Sequence, residues 1–333
     1  MTQRELFEQN EIERLSPYAA KSALSCGRAE PMPECDMRTA FQRDRDRITH
    51  SKAFRRLMHK TQVFIAPEGD HYRTRLTHTL EVAQIARAIS RSLNLNEDLT
   101  EAIALGHDLG HAPFGHTGED ALDKLTPGGF AHNEQSVRIV KFIENGGKGL
   151  NLTYEVIDGI ANHRTGGNPA TLEGHVVRIS DKIAYINHDI EDALRAGALM
   201  QSDLPADILN QIGETSSKRI DYLIRSVINE SRGEDRVGME SGAAAALNEL
   251  REFMFRTVYE SQLLMRERVK IRHMFEKIYY YFLENPNEMP GDFLLALDMG
   301  ETLPRVVSDH IACMTDRYAL RLYQNLFVPG SWV

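Results

Sequence analysis

The chain has few of the features that mark secreted, membrane-spanning or disulfide-stabilised proteins. Its 333 residues include three cysteines and no CxxC pair, so neither a disulfide framework nor a cysteine-based zinc site is expected. It contains no run of about 18 apolar residues. The charged N-terminal sequence MTQRELFEQNEIERL lacks the apolar stretch of a secretory signal. These absences together predict a cytoplasmic protein.

Positive charge is also in the minority. Lysine and arginine number 39 against 48 aspartates and glutamates, which gives a net charge of −9 and argues against a general nucleic-acid coat. One stretch departs from this balance and is typical either of a site for a polyanion, such as a triphosphate, or of solvated helix faces paired with acids. Its basic residues are Arg38, Arg43, Arg45, Arg47, Lys52, Arg55, Arg56, Lys60, Arg73 and Arg75.

Strand-forming patterns are scarce, and the best candidate is the short run 62–65. Apolar residues instead recur at helical spacing, as in 77–93. Asn96 is placed to cap the helix that follows it, and 172–195 has the pattern of a long helix. Another long helix is predicted within 242–284. The fold is therefore predicted to be all-α.

One face of the predicted helix 172–195 carries a regular set of polar residues. Asp181, Tyr185 and Asp189 are spaced i, i+4 and i+8, which aligns them along one stripe. The phenol and the second carboxylate then lie about 6 and 12 Å along the axis from the first carboxylate. Lys182 stands beside that first carboxylate. A metal ligand, a phosphate contact and two hydroxyl contacts could share this face, whose length suits a nucleoside.

Two runs carry a more specific pattern: SKAFRRLMHKTQVFIAPEGDHYRTRLTHTL over 51–80 and GHDLGHAPFGHTGE over 106–119. Both resemble the dGTPase-like branch of the HD phosphohydrolase superfamily, the deoxynucleoside triphosphate triphosphohydrolases. The resemblance extends to the C-terminal LYQNLFVPGSW and so covers most of the chain. It implies an N-terminal arm over 1–40 and an HD-domain helical core over 41–200. A helical C-terminal region over 201–333 is expected to complete the nucleotide pocket and to form oligomer contacts.

The resemblance implies a metal site. His78, the doublet His107-Asp108 and Asp181 match the ligand set of the superfamily. Imidazole and carboxylate together suit a divalent cation that keeps open positions for water and a phosphate oxygen. Mg²⁺, Mn²⁺, Fe²⁺, Co²⁺, Ni²⁺ and Zn²⁺ all accept such ligands, and the sequence does not choose among them.

The resemblance also assigns acid–base groups. His116, in PFGHTGE, matches the family's catalytic histidine, and Glu119 lies three residues on, where it can share a helix face with it. A carboxylate there can hold the imidazole in one tautomer and raise its basicity. His132 matches a further active-site histidine, and His111 matches a substrate-binding position that varies among relatives. For these two, plain hydrogen-bonding support is the alternative.

Residues at the phosphate end of the substrate are implied in the same way. Lys182 matches a phosphate-binding lysine, and Arg75 matches an arginine near the α-phosphate. A guanidinium suits bidentate capture of phosphate. A weaker correspondence puts Arg251 and Tyr259 at the phosphate and base ends, with an ordinary helix surface as the alternative.

The sugar contacts follow from the same resemblance. Tyr185 and Asp189 match residues that hold the 3′-hydroxyl. Gln62 and Val63 match a pair that closes against the deoxyribose and leaves neither room nor a partner for a 2′-hydroxyl. These assignments predict selection for deoxynucleotides, whereas no residue marks a preferred base.

The predicted function is metal-dependent hydrolysis of deoxynucleoside triphosphates, dGTP among them, to deoxynucleoside and inorganic triphosphate. One alternative is another HD-type hydrolase, acting on a deoxynucleoside monophosphate or guanosine tetraphosphate. The His116–Glu119 pair, absent from the minimal HD set, argues against it. The other alternative is a low-turnover regulator that binds nucleotide or single-stranded nucleic acid. By resemblance we also expect a homo-oligomer, a tetramer or a hexamer, with dNTP effectors between subunits.

Overall fold

A computed structural model describes residues 1–62 and 73–330 of the chain. Within those ranges the regular elements are helices, and extended pairing is confined to isolated bridges that join Arg28 to Thr153 and Thr61 to Thr74. The predicted all-α class is therefore confirmed. Of the predicted strand 62–65, residues 63–65 lie outside the described residues.

The α-helices, in chain order, are α1 (Gln3–Arg14), α2 (Ala40–Thr49), α3 (Lys52–Arg56), α4 (Arg75–Ser92), α5 (Glu97–Gly106), α6 (Gly115–Leu125), α7 (His132–Arg138), α8 (Glu144–Gly147), α9 (Tyr154–Ala161), α10 (Leu172–Arg195), α11 (Ala206–Ile212), α12 (Ser216–Ser231), α13 (Ser241–Met254), α14 (Gln262–Glu284), α15 (Gly291–Asp298), α16 (Leu303–Ala312) and α17 (Asp316–Phe327). The connections include 3₁₀ turns at Ser22–Leu24, Leu57–His59, Gln201–Asp203 and Pro286–Glu288. The π-helical segments Ile139–Ile143 and Phe255–Tyr259 extend α7 and α13.

The chain forms two compact units, and each draws on three separate stretches. The first unit comprises Met1–Thr49, Thr77–His107 and Asn151–Ser261. The second unit comprises His50–Leu76, Asp108–Leu150 and Gln262–Val333. The predicted boundaries near residues 40 and 200 concern the linear order of the chain and stay a prediction.

The first unit is organised around α5 and α10. The side chain of Asn96 accepts a hydrogen bond from the Leu99 N–H and caps α5, as predicted. Every residue from Leu99 to Gly106 except Glu101 is buried, and α5 packs against α2, α9 and α10. Helix α10 has the predicted bounds, Leu172–Arg195, and its Thr171 cap accepts from the Gly174 N–H. These two helices place His107 and Asp181 in one unit.

The second unit is organised around α14, which packs against α6, α16 and α17. Its core has Phe275 at the centre, fully buried, with the ring of Phe114 at 6.2 Å. Leu122 of α6 and Val307 of α16 belong to the same apolar cluster. The core thereby supports the loop that follows the His-Asp doublet and the start of α6.

The prediction of one helix within 242–284 is wrong. Helix α13 ends at Met254, the backbone widens into the π-helical segment Phe255–Tyr259, and α14 begins only at Gln262. The Glu260 N–H donates to the carbonyl of Phe255, five residues back, which marks the π geometry at the break. The chain passes from the first unit to the second immediately after this break. Neither proline nor glycine stands there, so the sequence contains no breaker to reveal it.

Among the described residues, no helix combines the length and apolar character that a membrane crossing requires.

A buried carboxylate joins the N-terminal segment to the starts of two helices. Glu173, in the first turn of α10, is fully buried. Its Oε1 accepts hydrogen bonds from the N–H of Ala20 at 3.1 Å and from that of Asn96 at 2.9 Å. Burial outweighs these bonds and raises the pKa of Glu173 to about 7.

Replacing Glu173 by glutamine is expected to remove part of the pH dependence of stability. The carboxyl titrates near 4.5 when unfolded and near 7 when folded, so between these values the folded state holds the extra proton. Stability therefore falls as pH rises through that window, by up to about 3 kcal/mol. Urea unfolding from pH 4.5 to 7.5 should show this decline in the wild type and a flatter profile in Glu173→Gln. The exposed Glu13→Gln is the control, and parallel wild-type and Glu173→Gln profiles would contradict the assignment.

Candidate functional site

In the first unit, the end of α5 presents His107. This residue caps the helix and is fully buried. Its Nδ1 lies 2.7 Å from the carbonyl oxygen of Ala104. A carbonyl can only accept, so Nδ1 is the donor, and in the neutral imidazole Nε2 then carries the lone pair. The local fold of α5 thus selects the tautomer that a metal ligand requires.

Three predicted ligands come together in this unit. The Nε2 of His78 lies 3.1 Å from Oδ1 of Asp181, and the Nε2 of His107 lies 3.8 Å from the same oxygen. The two imidazole rings are 5.8 Å apart and meet edge to face. Two imidazoles that converge on one carboxylate in a buried setting form a donor set that fits a divalent cation.

Two further histidines, for which no role is predicted from the sequence, lie beside this group. His163 is buried, with its ring 5.0 Å from His107 and its Nδ1 2.8 Å from the Ile160 carbonyl. His188 lies 5.9 Å from His78 and pairs with Glu81 at 3.2 Å. The spacing of His188, seven residues after Asp181 on the same helix, is the signal that could have identified it.

The polar face of α10 is engaged by residues from α13 and the π-helical segment. The amine of Lys182 donates to Oδ1 of Asn248, and the hydroxyl of Tyr259 donates to Oδ2 of Asp189. Burial, followed by the nearby carboxylate of Asp189, raises the pKa of Tyr259 well above its usual value. Tyr259 is therefore a neutral donor at physiological pH. Tyr259 thus lies beside Asp189 on the polar face, and its predicted role at the base end of a substrate stays a prediction.

Arg251 lies beside the same face. Burial is the main cause that raises the pKa of Tyr185 to about 12, and the Arg251 guanidinium opposes the shift through its charge and a hydrogen bond. Burial and then Arg251 lower the pKa of Lys182. The guanidinium also stacks over the ring of Phe255 at 4.9 Å, and Phe255 is 43% exposed. A cationic and aromatic surface therefore continues the stripe of α10.

In the second unit, Asp108 is held between two basic groups. A guanidinium nitrogen of Arg75 donates to Oδ2 of Asp108 at 2.8 Å, and Nε2 of His111 lies 3.3 Å from Oδ1. All three side chains are buried, and the Nε–H of Arg75 has no acceptor among the described residues. Burial, then the charge of Arg75, holds the pKa of His111 well below its usual value. Arg75 thus keeps a donor for an anionic ligand.

Glu119 links two histidines in the same unit. Its carboxylate oxygens lie 2.8 and 3.0 Å from Nδ1 of His132, and Oε1 also accepts the His132 backbone N–H at 2.9 Å. The Nδ1 of His116 lies 3.4 Å from Oε2. Burial alone would raise the pKa of Glu119, but the bonds from His116 and His132 hold that pKa well below its usual range. The predicted pairing of Glu119 with His116 is present, and the shorter bond, which the residue spacing does not predict, is to His132.

The histidines of this unit form a continuous group. The ring of His111 stacks on that of His132 at 3.9 Å, and His116 lies 5.6 Å from His111. Ligand atoms of Asp108, His111 and His132 all fall within 4.8 Å of one another. The His116 side chain is 71% exposed, whereas His132 is buried. His116 is thus the member of the group that a ligand from solvent can reach.

Glycines shape the loop that carries these groups. A Cβ on Gly110 would lie 2.2 Å from the Ser136 nitrogen and 2.4 Å from the His132 carbonyl oxygen, so only glycine allows this approach to α7. Gly115 has φ of +56°, and a Cβ there would lie 2.5 Å from the Gln62 carbonyl oxygen. Gln62 is thus placed against the start of α6. Val63 lies outside the described residues.

The predicted basic cluster is not one continuous surface. Several of its members form ion pairs: Arg38 with Asp46 at 2.6 Å, Arg45 with Asp98 at 3.0 Å, and Lys52 with Asp292 at 3.0 Å. Two others, Lys60 and Arg75, are buried. The paired residues therefore agree with the second prediction for this stretch, solvated helix faces paired with acids, and not with a polyanion site.

Known proteins resemble the chain along its whole length. It matches the HD domain over residues 75–186 and the phosphohydrolase-associated domain over 237–325. The deoxyguanosinetriphosphate triphosphohydrolase-like protein of Caldanaerobacter subterraneus subsp. tengcongensis is 59% identical, with 100% of this chain and 98% of that protein aligned. The protein of the same name from Clostridium tetani is 50% identical, with 96% of this chain and 95% of that protein aligned. A solved structure, of a hypothetical protein from Aquifex aeolicus, has a TM-score of 0.49 and 20% identity over 86% of this chain and 68% of that one.

The two domain matches take in both units, and they include every predicted metal ligand as well as Glu119 and the three histidines around it. The two relatives extend the likeness over almost the whole chain at an identity that leaves no doubt of common descent. The chain therefore belongs to the deoxyguanosinetriphosphate triphosphohydrolase-like family of HD-domain phosphohydrolases.

Proposed function

We propose that the protein hydrolyses deoxynucleoside triphosphates, dGTP among them, to deoxynucleoside and inorganic triphosphate. The observation that carries this proposal is the polar face of α10 in the first unit. Asp181, with two imidazoles near its carboxylate, stands at one end of that face, and Asp189, bonded by Tyr259, stands two turns away. The interval of about 12 Å suits a nucleoside with its phosphate end at Asp181.

The proposed metal ligands are His78, His107 and Asp181 of the first unit, together with Asp108, which follows His107 in the chain. A bound divalent cation would supply Lewis-acid polarisation of a phosphate oxygen and would lower the pKa of a water molecule. The Ala104 carbonyl fixes the tautomer of His107, so this ligand needs no rearrangement of its proton before it binds.

Basic groups of each unit are assigned to the phosphates. Lys182 lies next to Asp181 on α10, and Arg75 of the second unit keeps its Nε–H free of any acceptor among the described residues. Both would stabilise the negative charge that grows on the phosphate oxygens during attack at phosphorus. His111, uncharged because burial lowers its pKa, would contribute a hydrogen bond rather than a charge.

Proton transfer is assigned to His116, Glu119 and His132. The ionised carboxylate of Glu119 can hold both imidazoles with Nδ1 protonated, which leaves the Nε2 of each for the substrate side. In that arrangement an imidazole can take a proton from the attacking water or, once protonated, give one to the leaving O5′. The exposure of His116 makes it the group that exchanges protons with substrate, with His132 behind it.

Product analysis tests this function. The metal-loaded protein should be incubated with each of the four dNTPs, singly and mixed, and the phosphate products separated by anion exchange. Inorganic triphosphate in equal amount to deoxynucleoside is the expected result. Pyrophosphate or orthophosphate as first product would indicate another HD hydrolase. Nucleotide binding with no product would indicate a regulator.

Removal of the 3′-hydroxyl is expected to lower kcat/KM. The carboxylate of Asp189 accepts from Tyr259, and the substrate hydroxyl would be a further donor to it. A buried acceptor left without its donor costs about 1–3 kcal/mol, or roughly 5–150-fold in kcat/KM for a 2′,3′-dideoxy substrate. In Asp189→Ala this difference between the dNTP and the dideoxy-NTP should largely disappear. Measuring kcat/KM for both substrates in both proteins provides the test.

The matched control is Glu191→Ala, which changes a neighbouring acid on another face of α10 and should keep the discrimination. A wild type that treats the two substrates alike would overturn the sugar assignment. Equal use of GTP and dGTP would overturn the separate assignment of Gln62 and Val63 to the 2′ side. Oligomer formation and dNTP effectors remain predictions from the family.

A further inference from the structure

Lys60 belongs to the basic cluster by sequence, but its side chain is internal to the second unit. It is 1% exposed, so it is not part of a solvated basic surface. Its amine donates to the carbonyl oxygen of His111 and to that of Ala312, the latter at 2.8 Å. Lys60 therefore joins the loop after the His-Asp doublet to the end of α16.

The backbone around Lys60 reaches a third element. The carbonyl oxygen of Lys60 accepts the Arg75 N–H at 3.0 Å, and Thr61 forms a bridge with Thr74. The start of α4, which presents Arg75, is thus fixed by the same residue whose side chain holds His111.

Asp316 completes this arrangement from the other side. It is the first residue of α17, 4% exposed. Its Oδ2 accepts from the N–H of Thr61 at 3.0 Å and from its hydroxyl at 2.6 Å, and its Oδ1 accepts the Phe114 N–H at 3.0 Å. The carboxylate of Asp316 therefore connects Thr61, the residue after Lys60, with Phe114, which ends the loop that begins at His111.

The loop 111–114 is held at both ends by these two residues. Its first residue is bound through its carbonyl to Lys60, and its last, Phe114, is bound through its N–H to Asp316. Phe114 has φ of +61°, a conformation that bulky residues rarely adopt without support. Directly after it, α6 begins, with His116 as its second residue.

We propose that Lys60 and Asp316 are positioning residues that hold the loop 111–114, and with it His116, in register with Glu119 and His132. This inference rests on the proposed function, since it gives the two residues their effect through His116. Neither side chain contacts His116 directly in the bonds that define its place.

The chemistry of Lys60 indicates that its hydrogen bonds, and not only its volume, matter at this position. Burial lowers the pKa of its amine to about 7, so a methionine or leucine would fill the volume at less electrostatic cost. What an apolar residue cannot supply is the pair of N–H donors aimed at two carbonyls in different elements.

A double-mutant cycle tests the proposal. Lys60→Met keeps the length of the side chain and removes its donors. In the wild-type background it should lower kcat by about 10- to 100-fold, the scale of a small misplacement of catalytic groups. KM should change by less than about threefold. In a His116→Ala background, where the positioned group is already gone, Lys60→Met should lower kcat by less than about threefold.

The same cycle with Asp316→Asn approaches the loop from the other end and serves if Lys60→Met fails to fold. The amide keeps one acceptor oxygen, so it must give up either Thr61 or Phe114. Lys52→Met is the matched control, because this lysine is exposed and its amine pairs with Asp292 at the surface. It should leave kcat unchanged in both backgrounds.

The outcomes separate the two hypotheses. Equal losses of kcat in both backgrounds, or a Lys60→Met protein with wild-type kcat, would overturn the positioning role while leaving the proposed function in place. A His116→Ala protein that keeps wild-type kcat would likewise overturn the positioning role, because the role acts through His116. A wild type that releases no triphosphate would instead overturn the proposed function itself.

Discussion

Asp181→Ala is expected to yield a folded protein that holds no divalent metal and turns over no dNTP. Both His78 and His107 approach the carboxylate of Asp181 within the first unit, at 3.1 and 3.8 Å. Without it the first unit offers the two imidazoles alone, and imidazoles bind a divalent cation far more weakly than they do together with a carboxylate. Loss of the cation would remove the polarisation of phosphate on which the proposed reaction depends.

The measurement combines metal content and activity. Wild type and Asp181→Ala should be dialysed, their metal content measured by inductively coupled plasma mass spectrometry, and both proteins assayed for triphosphate release. Far-ultraviolet circular dichroism should be unchanged, because Asp181 lies on a face of α10 opposite its buried apolar residues. Asp207→Ala, an exposed acid of the same unit, is the control and should retain metal. Stoichiometric metal in Asp181→Ala would remove this residue from the ligand set.

The parts of this site that local sequence rules could predict are those that a single helix determines. Asn96 caps α5 as predicted, and the bounds of α10 agree residue by residue. Once α10 is known, the common face of Asp181, Tyr185 and Asp189 follows from the helical repeat alone. Helix caps and periodicity are short-range effects, which explains why these predictions succeeded.

Contacts between distant residues were beyond the same rules. The shortest bond of Glu119 is to His132, 13 residues away across a loop, whereas spacing favoured His116 within the same helix turn. Lys60 looks in sequence like a surface cation, yet it is buried through contacts with residues 51 and 252 positions away. Such pairings depend on how the second unit packs and not on any local pattern.

The break between α13 and α14 shows a further limit. A π-helical turn needs neither proline nor glycine, because it arises when one extra residue is accommodated in a helix turn. The segment Phe255–Tyr259 contains neither proline nor glycine, so the sequence pattern predicted a continuous helix. The outcome matters for function, since this turn presents Tyr259 to Asp189 and Phe255 to Arg251.

His116→Ala is expected to bind dNTP with nearly normal affinity and to turn it over at least about 100-fold more slowly. A positioned acid or base contributes about 100- to 10,000-fold to the rate of such a step. The His116 side chain is 71% exposed and shares the Glu119 carboxylate with His132, so its removal should leave the fold and the His132–Glu119 bonds intact. The loss should therefore appear in kcat, while KM changes little.

Steady-state kinetics with each dNTP, together with thermal unfolding, measures this effect. His59→Ala removes another exposed histidine of the second unit and should leave kcat unchanged. The kcat of Glu119→Gln should lie between those of the wild type and His116→Ala. The amide can still accept a hydrogen bond, but it carries no negative charge to stabilise both imidazoles. A near-normal kcat in His116→Ala would show that His132, and not His116, transfers the proton. In that case His132→Ala should show the full loss, and the exposure of His116 would reflect a place at the edge of the site, where it supports the carboxylate without meeting the substrate.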